Sequence, residues 1–373
     1  EYFSSGAADG EFPYAKLLET YTHAESSAES LSGETAQALY GEKMTVSPSR
    51  LEAFGNCEFS YYGNYILRLR PERTAELGSL ETGNIAHKIL ELLVPKLTDE
   101  KEKSGAVTEE FAVSCANELL SGYLTSLCGI KSASTKRFEY LYSRLSGTVC
   151  ELAAKLADEL SQSDFIPTEY ELPIGLSSED KKGITSARIP LPDGGTLLIN
   201  GKIDRTDVYV KNGKAYVRII DYKTGNKKFR LSDVALGVNL QMLLYLYSLD
   251  ENAGKRFGGE VVPAGVLYTP VKRPEKSASM SESSPETSPE RPNGILIDDE
   301  EVLRAMEKDL SGKYIPVKVK KDGSLYASSS VVTLSDMGRL LGNAADVAAK
   351  LAAEIKKGVI KKNPLKCKEK NSC

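Results

Sequence analysis

The chain has 373 residues, of which 41% are hydrophobic and 27% are charged, and its formal net charge at pH 7 is −4. These values are typical of a soluble globular protein with one large domain and appendages, or with two domains. They exclude a strongly basic protein that binds nucleic acid over its whole surface, so any such surface must be local. No apolar stretch approaches the length of a membrane span, and no signal peptide is found. Because the first residue is Glu1 rather than Met, we expect a fragment of a larger chain. We also expect it to be cytoplasmic and to make no membrane contact.

The first half of the chain is predicted to be mainly helical. Residues 1–45 are rich in Ser, Ala, Gly and Glu, which indicates a linker or the tail of a preceding domain. Ser47 is then placed to cap a helix that Pro48 opens at its first turn. Residues 77–160 follow with apolar side chains at helical spacing, as in "LETGNIAHKILELLV", and they predict several helices.

The second half of the chain alternates strands and helices. A strand is predicted in "FIPTEYELPIG", followed by a hairpin, a helix in "LGVNLQMLLYLYSLDEN" and a strand in "GGEVVPAGVLYTP". Residues 271–293 form a Ser/Pro/Glu tract with almost no apolar side chains, which predicts a disordered loop. A strand, a helix, a short strand pair and a long helix complete the chain. This order predicts an α/β domain over residues 46–373, with a central mixed β-sheet flanked by helices.

The predicted hairpin turns at Asn212-Gly213, the strongest short-range signal for a two-residue turn between strands. With that register Asp204 lies directly opposite Asp221, although like charges that face each other across an antiparallel pair are destabilising. Because side chains alternate along a strand, both aspartates lie on the apolar face of the hairpin, and Lys223 shares that face. The arrangement therefore calls for a chemical explanation.

The two acids on the apolar face need a compensating partner. Opposed Cβ atoms in a hairpin lie about 4.5–5.5 Å apart, so Asp204 and Asp221 are able to ligate one divalent cation. Hard oxygen ligands favour Mg²⁺ or Mn²⁺. The alternative is a surface hairpin end with ordinary solvated acids. The opposite face is predicted to be exposed to solvent, and Asp207 facing Arg218 on it supports the register.

Two predicted helices carry further candidates for this site. His87 lies on the apolar stripe of "LETGNIAHKILELLV", where a histidine is either a core residue or, beside two aspartates, a metal ligand. Gln241 and Tyr245 are four residues apart and share one face of the helix after the hairpin. A divalent ion, the ammonium group of Lys223 and polar helix side chains together fit the hydrolysis of a phosphodiester bond.

These motifs resemble those of the PD-(D/E)xK nucleases of the RecB type, whose fold is a restriction-endonuclease-like α/β core. The segments that carry the resemblance are "GNIAHKILE", "FIPTEYE", "GKIDRTD", "IIDYKTG" and "LQMLLYLYSL", in this order along the chain. The resemblance implies a Mg²⁺-dependent deoxyribonuclease that acts as an exonuclease. It also implies the catalytic site residues. The metal ligands are His87, Asp204, Asp221 and the backbone carbonyl of Tyr222, and Lys223 is catalytic, with Gln241, Tyr245 and the motif acid Glu171 completing the catalytic set.

A narrower resemblance covers the chain from about residue 44 to its end. The segments "SPSRLEAFGNCEFSYY", "GILIDDEEVLRAM", "IPVKVKKDGSLYASSSVV" and "IKKNPLK" are similar to segments of AddB-type nuclease domains, which belong to bacterial helicase–nuclease complexes. This resemblance implies an AddA-type helicase–nuclease subunit as partner and one unwound DNA strand, the 5′-ended one, as substrate. It implies a role in double-strand-break processing for recombinational repair, and it makes residues 1–45 the tail of a helicase-like region.

The six cysteines are spread too sparsely for a disulfide scaffold. The same resemblance implies that two of them bind a second cofactor. AddB-type nuclease domains carry a [4Fe–4S] cluster held by one cysteine before the domain and three near its end. By this resemblance Cys57 matches the first ligand and Cys373 the opening ligand of the final group. The sequence stops at Cys373 and Cys367 has no clear match, so this chain lacks the matching cysteines to complete a cluster. The alternative, in which Cys57 and Cys373 are unpaired thiols, stays open.

Three functions remain compatible with the sequence. We favour the nuclease domain of a helicase–nuclease subunit. The alternatives are a RecB-type nuclease outside such a complex and a non-catalytic DNA-binding or structural module of the same fold. Lysine-rich segments at residues 226–230 and from Lys356 onward are either solvated or bind DNA phosphates without base specificity.

Overall fold

Two β-sheets form the middle of the structure, which is a computed structural model. It describes residues 30–70, 79–128, 136–175, 183–223, 228–254, 256–271 and 291–365. The strands are β1 (Lys43–Val46), β2 (Ile166–Ile174), β3 (Arg188–Pro190), β4 (Thr196–Ile199), β5 (Gly201–Lys211), β6 (Lys214–Lys223), β7 (Glu260–Pro270), β8 (Asn293–Ile297) and β9 (Val331–Val332).

The larger sheet is mixed, with the strand order β2-β5-β6-β7-β8-β9 among the described residues. Strands β5 and β6 form an antiparallel hairpin, β2 is antiparallel to β5, and β7 is parallel to β6. The smaller sheet has the order β1-β4-β3, and β1 runs parallel to β4. The predicted mixed sheet is therefore confirmed.

Helices flank both faces of the larger sheet. They are α1 (Gly33–Tyr40), α2 (Pro48–Asn56), α3 (Glu58–Tyr61), a π-helical turn (Tyr62–Ile66), α4 (Ser79–Ser104), α5 (Glu109–Cys128), α6 (Lys136–Gln162), α7 (Leu231–Val234), α8 (Gln241–Asn252), α9 (Glu300–Met306) and α10 (Leu334–Lys356). Glu159 on α6 contacts Arg205 on one face, and Gln241 at the start of α8 contacts Asp221 on the other. The predicted α/β class and the helical region before β2 are confirmed.

The hairpin turn has the backbone conformation that its sequence predicts. Asn212 and Gly213 have φ angles of 50° and 75°, and two consecutive positive φ values belong to the turn type that joins twisted strands by two residues. Pairing of Asp207 with Arg218 and of Arg205 with Ile220 follows the predicted register. The register therefore brings Asp204 and Asp221 to the same end of the hairpin.

The prediction that Asp207 and Arg218 face solvent is wrong, because both side chains are fully buried. The Arg205 guanidinium donates to both carboxylate oxygens of Asp207, at 2.6 and 2.7 Å, and Arg218 donates to Asp207 Oδ2 at 2.8 Å. Glu159 of α6 accepts from both arginines, at 3.2 and 3.3 Å. Helix α6 thus covers this face and supplies the charge that permits its burial.

Helix α2 opens with Pro48, as predicted, and Ser47 occupies the position before it. The Ser47 hydroxyl makes no hydrogen bond to the helix backbone, so the predicted side-chain cap is wrong. Its Oγ atom lies 3.1 Å from Ser49 Oγ instead. Pro48 alone fixes the first turn, since its φ angle already suits a helix.

Part of the predicted N-terminal linker is folded. Residues 33–46 form α1 and β1, whereas residues 1–29 lie outside the described residues. Near the other end, Ser30 pairs with Val359 in an antiparallel bridge, and the Leu31 N–H donates to the Gly358 carbonyl at 2.8 Å. The domain boundary at residue 46 stays a prediction.

Two further predictions concern the C-terminal half. The predicted loop of residues 271–293 falls mostly on residues 272–290, which lie outside the described residues. The predicted strand pair in "YIPVKVKKDGSLYASSSVV" is reduced to β9 and an isolated bridge between Val319 and Leu325. No helix in the described ranges combines the length and the apolar character that a membrane crossing requires.

Candidate metal-dependent nuclease site

Asp204 lies at the open end of the hairpin, where β5 and β6 begin to part from the ladder. One carboxylate oxygen accepts the backbone N–H of Tyr222 at 2.9 Å. Burial, followed by the negative charge of Asp221, raises the pKa of Asp204 to about 8. The cost of holding two acids together is therefore visible at the predicted position.

His87 projects from α4 onto this carboxylate. Its Nδ1 atom lies 3.4 Å from Asp204 Oδ2, and its ring meets the edge of the Tyr222 ring at a centroid distance of 6.1 Å. It also hydrogen-bonds to the backbone of Tyr222, and burial is the main cause that lowers the pKa of the imidazole. A neutral imidazole is the form that ligates metal ions. His87 thus lies at the site and is not an ordinary core residue.

Glu171 enters the site from β2 in a strained backbone conformation. Its φ angle of 49° lies in the left-handed region, which is uncommon for a residue other than glycine. The strand also changes register between Pro167 and Glu169. Glu171 forms an ion pair with Lys202 at 2.8 Å. The pairs Tyr170–Arg205 and Leu172–Ile203 on either side place Glu171 opposite Asp204, and the ladder is interrupted at this position.

His87, Glu171 and Asp204 make a group suited to a metal ion. Each offers one ligand atom, and these atoms lie within 4.8 Å of one another. Two carboxylates and one imidazole match the preference of Mg²⁺ or Mn²⁺ for oxygen with some nitrogen ligation. The structure includes Glu171 in this group, where the sequence predicted Asp221. The Tyr222 carbonyl, also a predicted ligand, belongs to the backbone that His87 contacts.

Asp221 is held by two of the predicted catalytic side chains. Gln241 Nε2 donates to Asp221 Oδ1 at 3.1 Å, and Lys223 Nζ lies 2.5 Å from Asp221 Oδ2. The ammonium group of Lys223 also lies 5.7 Å from the centre of the Tyr268 ring. The side chain of Lys223 keeps 25% of its surface exposed, so its charge remains accessible to a substrate.

Tyr245 supports the site from the next turn of α8. Its hydroxyl hydrogen-bonds to the Lys202 backbone and to the Gln241 side chain, and burial raises the pKa of the phenol to about 12. The hydroxyl packs against Gly201, where an added Cβ atom would lie 2.2 Å from it. Only glycine at position 201 therefore permits this approach. The predicted pair is also in contact, since the Tyr245 hydroxyl hydrogen-bonds to the Gln241 side chain beside Asp221.

Sequence reasoning missed two supports of the site. The backbone N–H of Gln241 donates to Glu52 Oε1 at 2.8 Å, across 189 positions of sequence. Leu240, the residue before α8, is not a capping type, and this was the one signal that a distant acceptor was needed. On the opposite face Arg205 Nη1 donates to the Tyr222 hydroxyl at 3.3 Å and thereby connects the buried charge network to β6 next to Asp221.

Cys57, the predicted iron–sulfur ligand, is buried between α2 and α3. It is disulfide-bonded, and so it is not an unpaired thiol, while Cys115 and Cys150 are free. The C-terminal segment returns to this point, since the Leu365 N–H donates to the Asn56 carbonyl at 2.7 Å. Cys367 and Cys373 lie outside the described residues. A four-thiolate cluster cannot be assembled from the described residues alone.

The predicted DNA-binding lysines are described only in part. Residues 226–227 and 366–373 lie outside the described residues. Lys356 forms an ion pair with Asp193 at 2.7 Å and keeps only 11% of its side chain exposed. Lys357 pairs with Glu354 at 2.7 Å. These two lysines are thus engaged with acids of the chain itself, and a role in binding DNA stays a prediction for the others.

Comparison with known proteins adds independent evidence to this geometry. The sequence profile of the PD-(D/E)XK nuclease superfamily matches residues 45–373. The chain belongs to the PD-(D/E)XK nuclease superfamily. Members of such a family share a mixed α/β core, and the six-stranded sheet flanked by helices agrees with that assignment. The family resemblance inferred from the motifs is confirmed.

Similar proteins from several bacteria are named as one subunit of an ATP-dependent helicase/deoxyribonuclease. The protein from Desulforudis audaxviator is 30% identical over 350 residues, which cover 92% of this chain and 30% of the relative. The protein from Acetivibrio thermocellus is 30% identical over 353 residues, which cover 93% of this chain and 30% of the relative. The protein from Clostridium acetobutylicum is 28% identical over 350 residues, which cover 92% of this chain and 30% of the relative. The chain therefore spans about 30% of the length of these relatives.

Proposed function

We propose that this chain is a metal-dependent deoxyribonuclease domain that hydrolyses phosphodiester bonds of one unwound DNA strand. The observation that carries the proposal is the convergence of His87, Glu171 and Asp204 within 4.8 Å, beside the ion pair of Asp221 and Lys223. Buried acids without such a purpose cost free energy, as the raised pKa of Asp204 indicates.

Each side chain has a role in this proposal. His87, Glu171 and Asp204 would hold a divalent ion, together with Asp221 and the Tyr222 carbonyl. A bound Mg²⁺ or Mn²⁺ ion supplies Lewis acidity, which lowers the pKa of water and offsets charge on the phosphate. Lys223 orients the attacking water or offsets the charge that develops on the phosphoryl oxygens.

Gln241 and Tyr245 act as positioning residues in the same proposal. Gln241 fixes the Asp221 carboxylate through its 3.1 Å hydrogen bond, and Tyr245 fixes Gln241 and the backbone at Lys202. The Asp221 carboxylate in turn fixes the Lys223 ammonium at 2.5 Å. This chain of contacts keeps the catalytic lysine on the ligand side of the hairpin.

The biological setting rests on the relatives. Because they are named as helicase/deoxyribonuclease subunits, we assign residues 46–373 to the nuclease domain and residues 1–45 to the tail of a helicase-like region. An AddA-type helicase–nuclease subunit delivers the strand, which is the 5′-ended strand of a double-strand break, and the exonuclease activity serves recombinational repair in the cytoplasm. We assign Cys57 and Cys373 to a [4Fe–4S] site that the matching cysteines of this chain alone do not complete. Because the ligands of such a cluster are thiolates, the assignment requires that the disulfide of Cys57 is reduced first.

Cleavage of a labelled single-stranded DNA with Mg²⁺ or Mn²⁺ tests the proposal. We expect wild type to cleave, and Asp221→Ala to abolish cleavage while the circular dichroism spectrum and melting temperature remain those of a folded protein. Asp346→Ala, which removes an exposed acid on α10, is the matched control and should cleave normally. Equal cleavage by wild type and Asp221→Ala would refute the assignment. Metal binding without cleavage by either protein would favour the non-catalytic module.

A further inference from the structure

A cavity of about 310 Å³ lies between α1, β1, α2 and the π-helical turn. Its lining contains three basic side chains and no acidic one, although the chain as a whole carries a net charge of −4. None of the three cations forms an ion pair with a residue in the described ranges. We call this cavity the basic pocket, and the residues that define it are Tyr40, Lys43, Arg50, Tyr65, Ile66 and Arg68.

Arg50 is fixed in the wall of the basic pocket by aromatic rings. Its guanidinium carbon lies 5.1 Å from the ring centre of Tyr65 and 5.6 Å from that of Tyr61, and Nη2 donates to the Tyr61 hydroxyl at 3.1 Å. Its Nε atom is buried and makes no hydrogen bond to the described residues. A buried donor in a cationic wall, in a pocket whose lining contains no carboxylate, is suited to an anionic ligand.

Arg68 gives a second, independent indication. Its φ angle is 56°, and the chain reverses there as the N–H groups of Leu67 and Leu69 turn back to the carbonyls of Tyr62 and Gly63, both at 2.9 Å. The residue that ends a helix in this conformation is usually glycine, because a Cβ atom is disfavoured there. An exposed arginine at such a position indicates that its side chain has a role outside the fold.

The basic pocket is close enough to the metal-ligand group for one strand to occupy both. Thr45 also lines the basic pocket and pairs with Leu198 in the smaller sheet. Leu198 precedes Asp204 by six positions of the continuous β4–β5 segment. Because an extended chain advances at most about 3.6 Å per residue, the Cα atoms of Leu198 and Asp204 are at most about 22 Å apart. A short single strand of DNA spans such a distance.

We propose that the basic pocket binds a phosphodiester group of single-stranded DNA at a distance from the scissile bond. Lys43 and Arg68 pair with the phosphate, and the ring of Tyr65 with Ile66 offers an apolar surface to the adjoining base. Contacts of this kind do not depend on base sequence. The inference rests on the proposed nuclease function and deepens it by adding a remote subsite for the substrate.

Fluorescence anisotropy with a labelled oligothymidine of about ten nucleotides tests the proposal, in EDTA so that no cleavage occurs. Arg68→Gly is the informative variant, because it removes the charge and at the same time relieves the backbone. Lys43→Gln is the second variant. Lys321→Gln, an exposed lysine in the turn between Val319 and Leu325, is the control for the loss of one charge.

We expect Arg68→Gly and Lys43→Gln each to weaken binding about three- to tenfold, and to lower the slope of log K against log salt by about 0.7. The melting temperature of Arg68→Gly should equal or exceed that of wild type, which excludes unfolding as the cause. Lys321→Gln should bind like wild type. If both pocket variants bind DNA with the affinity and the salt slope of wild type, the proposal is overturned while the nuclease assignment stays intact. A wild-type chain that neither binds nor cleaves DNA would overturn both.

Discussion

The backbone N–H of Gln241 donates to the carboxylate of Glu52 at 2.8 Å. Gln241 is the first residue of α8, so the acid both accepts an N–H group that has no partner within the helix and faces the positive end of the helix dipole. Glu52 lies on α2, the helix that ends beside Cys57. The position of Gln241 thus depends on an element far from it in sequence.

Glu52→Ala should reduce the turnover number for single-stranded DNA about tenfold and leave the affinity for DNA nearly unchanged. The start of α8 loses its acceptor, which costs about 1 kcal/mol, and Gln241 then holds Asp221 less firmly. Glu52→Gln keeps a side-chain oxygen acceptor and should retain most of the activity. Steady-state cleavage kinetics and equilibrium binding in EDTA separate the two effects. Equal turnover numbers for wild type and Glu52→Ala would contradict the positioning role.

Glu171 offers a test of backbone strain at the site. Glu171→Gly and Glu171→Ala both remove the acid, but only glycine adopts the observed φ of 49° without a steric penalty. We expect Glu171→Gly to be more stable than Glu171→Ala by about 1 kcal/mol, from urea unfolding curves. Both variants should bind Mg²⁺ more weakly than wild type in a calorimetric titration. A more stable alanine variant would show that the strain is absent.

Local signals made the hairpin and its facing aspartates predictable. Asn212 and Gly213 adopt positive φ angles as their residue types favour, and the register then follows from the turn. The conformation of Glu171 has no such signal, because glutamate does not favour positive φ. The contact of Glu52 with Gln241 joins residues 189 positions apart, and no periodicity reports a pairing of that range.

Burial of the second face of the hairpin was equally beyond local signals. Alternating charged residues on a strand normally indicate a solvated face. Here Glu159, 46 positions before Arg205, completes a charge network that is satisfied inside the protein. Tertiary packing decides which helix covers a sheet face, and the residue pattern of the strands does not predict that helix.

The buried network should be costly to break. Asp207→Ala leaves Arg205 and Arg218 buried without their main acceptor, so we expect a loss of about 3–5 kcal/mol in the free energy of unfolding. Lys211→Ala removes one partner of an exposed ion pair with Glu301 and should cost less than about 1 kcal/mol. Urea denaturation of both variants measures the difference. Similar losses in the two would mean that the buried charges are not coupled as the distances indicate.

Gly201→Ala should impair cleavage by displacing Tyr245. The new methyl group would lie 2.2 Å from the tyrosine hydroxyl, so the helix start or the ring must move, and the hydrogen bonds of Tyr245 to Lys202 and Gln241 are lost. We expect at least a tenfold fall in turnover number and about 1–3 kcal/mol of destabilisation. Gly122→Ala is the matched control, because no atom lies within 4 Å of the added group on helix α5. It should stabilise the protein by about 0.5–1 kcal/mol and leave cleavage unchanged.

The bridge between Ser30 and Val359 has a mechanical consequence. In an antiparallel pair the two chains leave on the same side, so tension applied through residues 30 and 359 opens the pair as a zipper opens. The hydrogen bond between Leu31 and Gly358 resists this opening, and the segment after Val359 is held separately, since the Phe59 N–H donates to the Lys361 carbonyl at 3.1 Å. Strands β5 and β6, which hold Asp204 and Asp221, pair with β2, β7 and each other, so opening the bridge breaks no hydrogen bond of these strands.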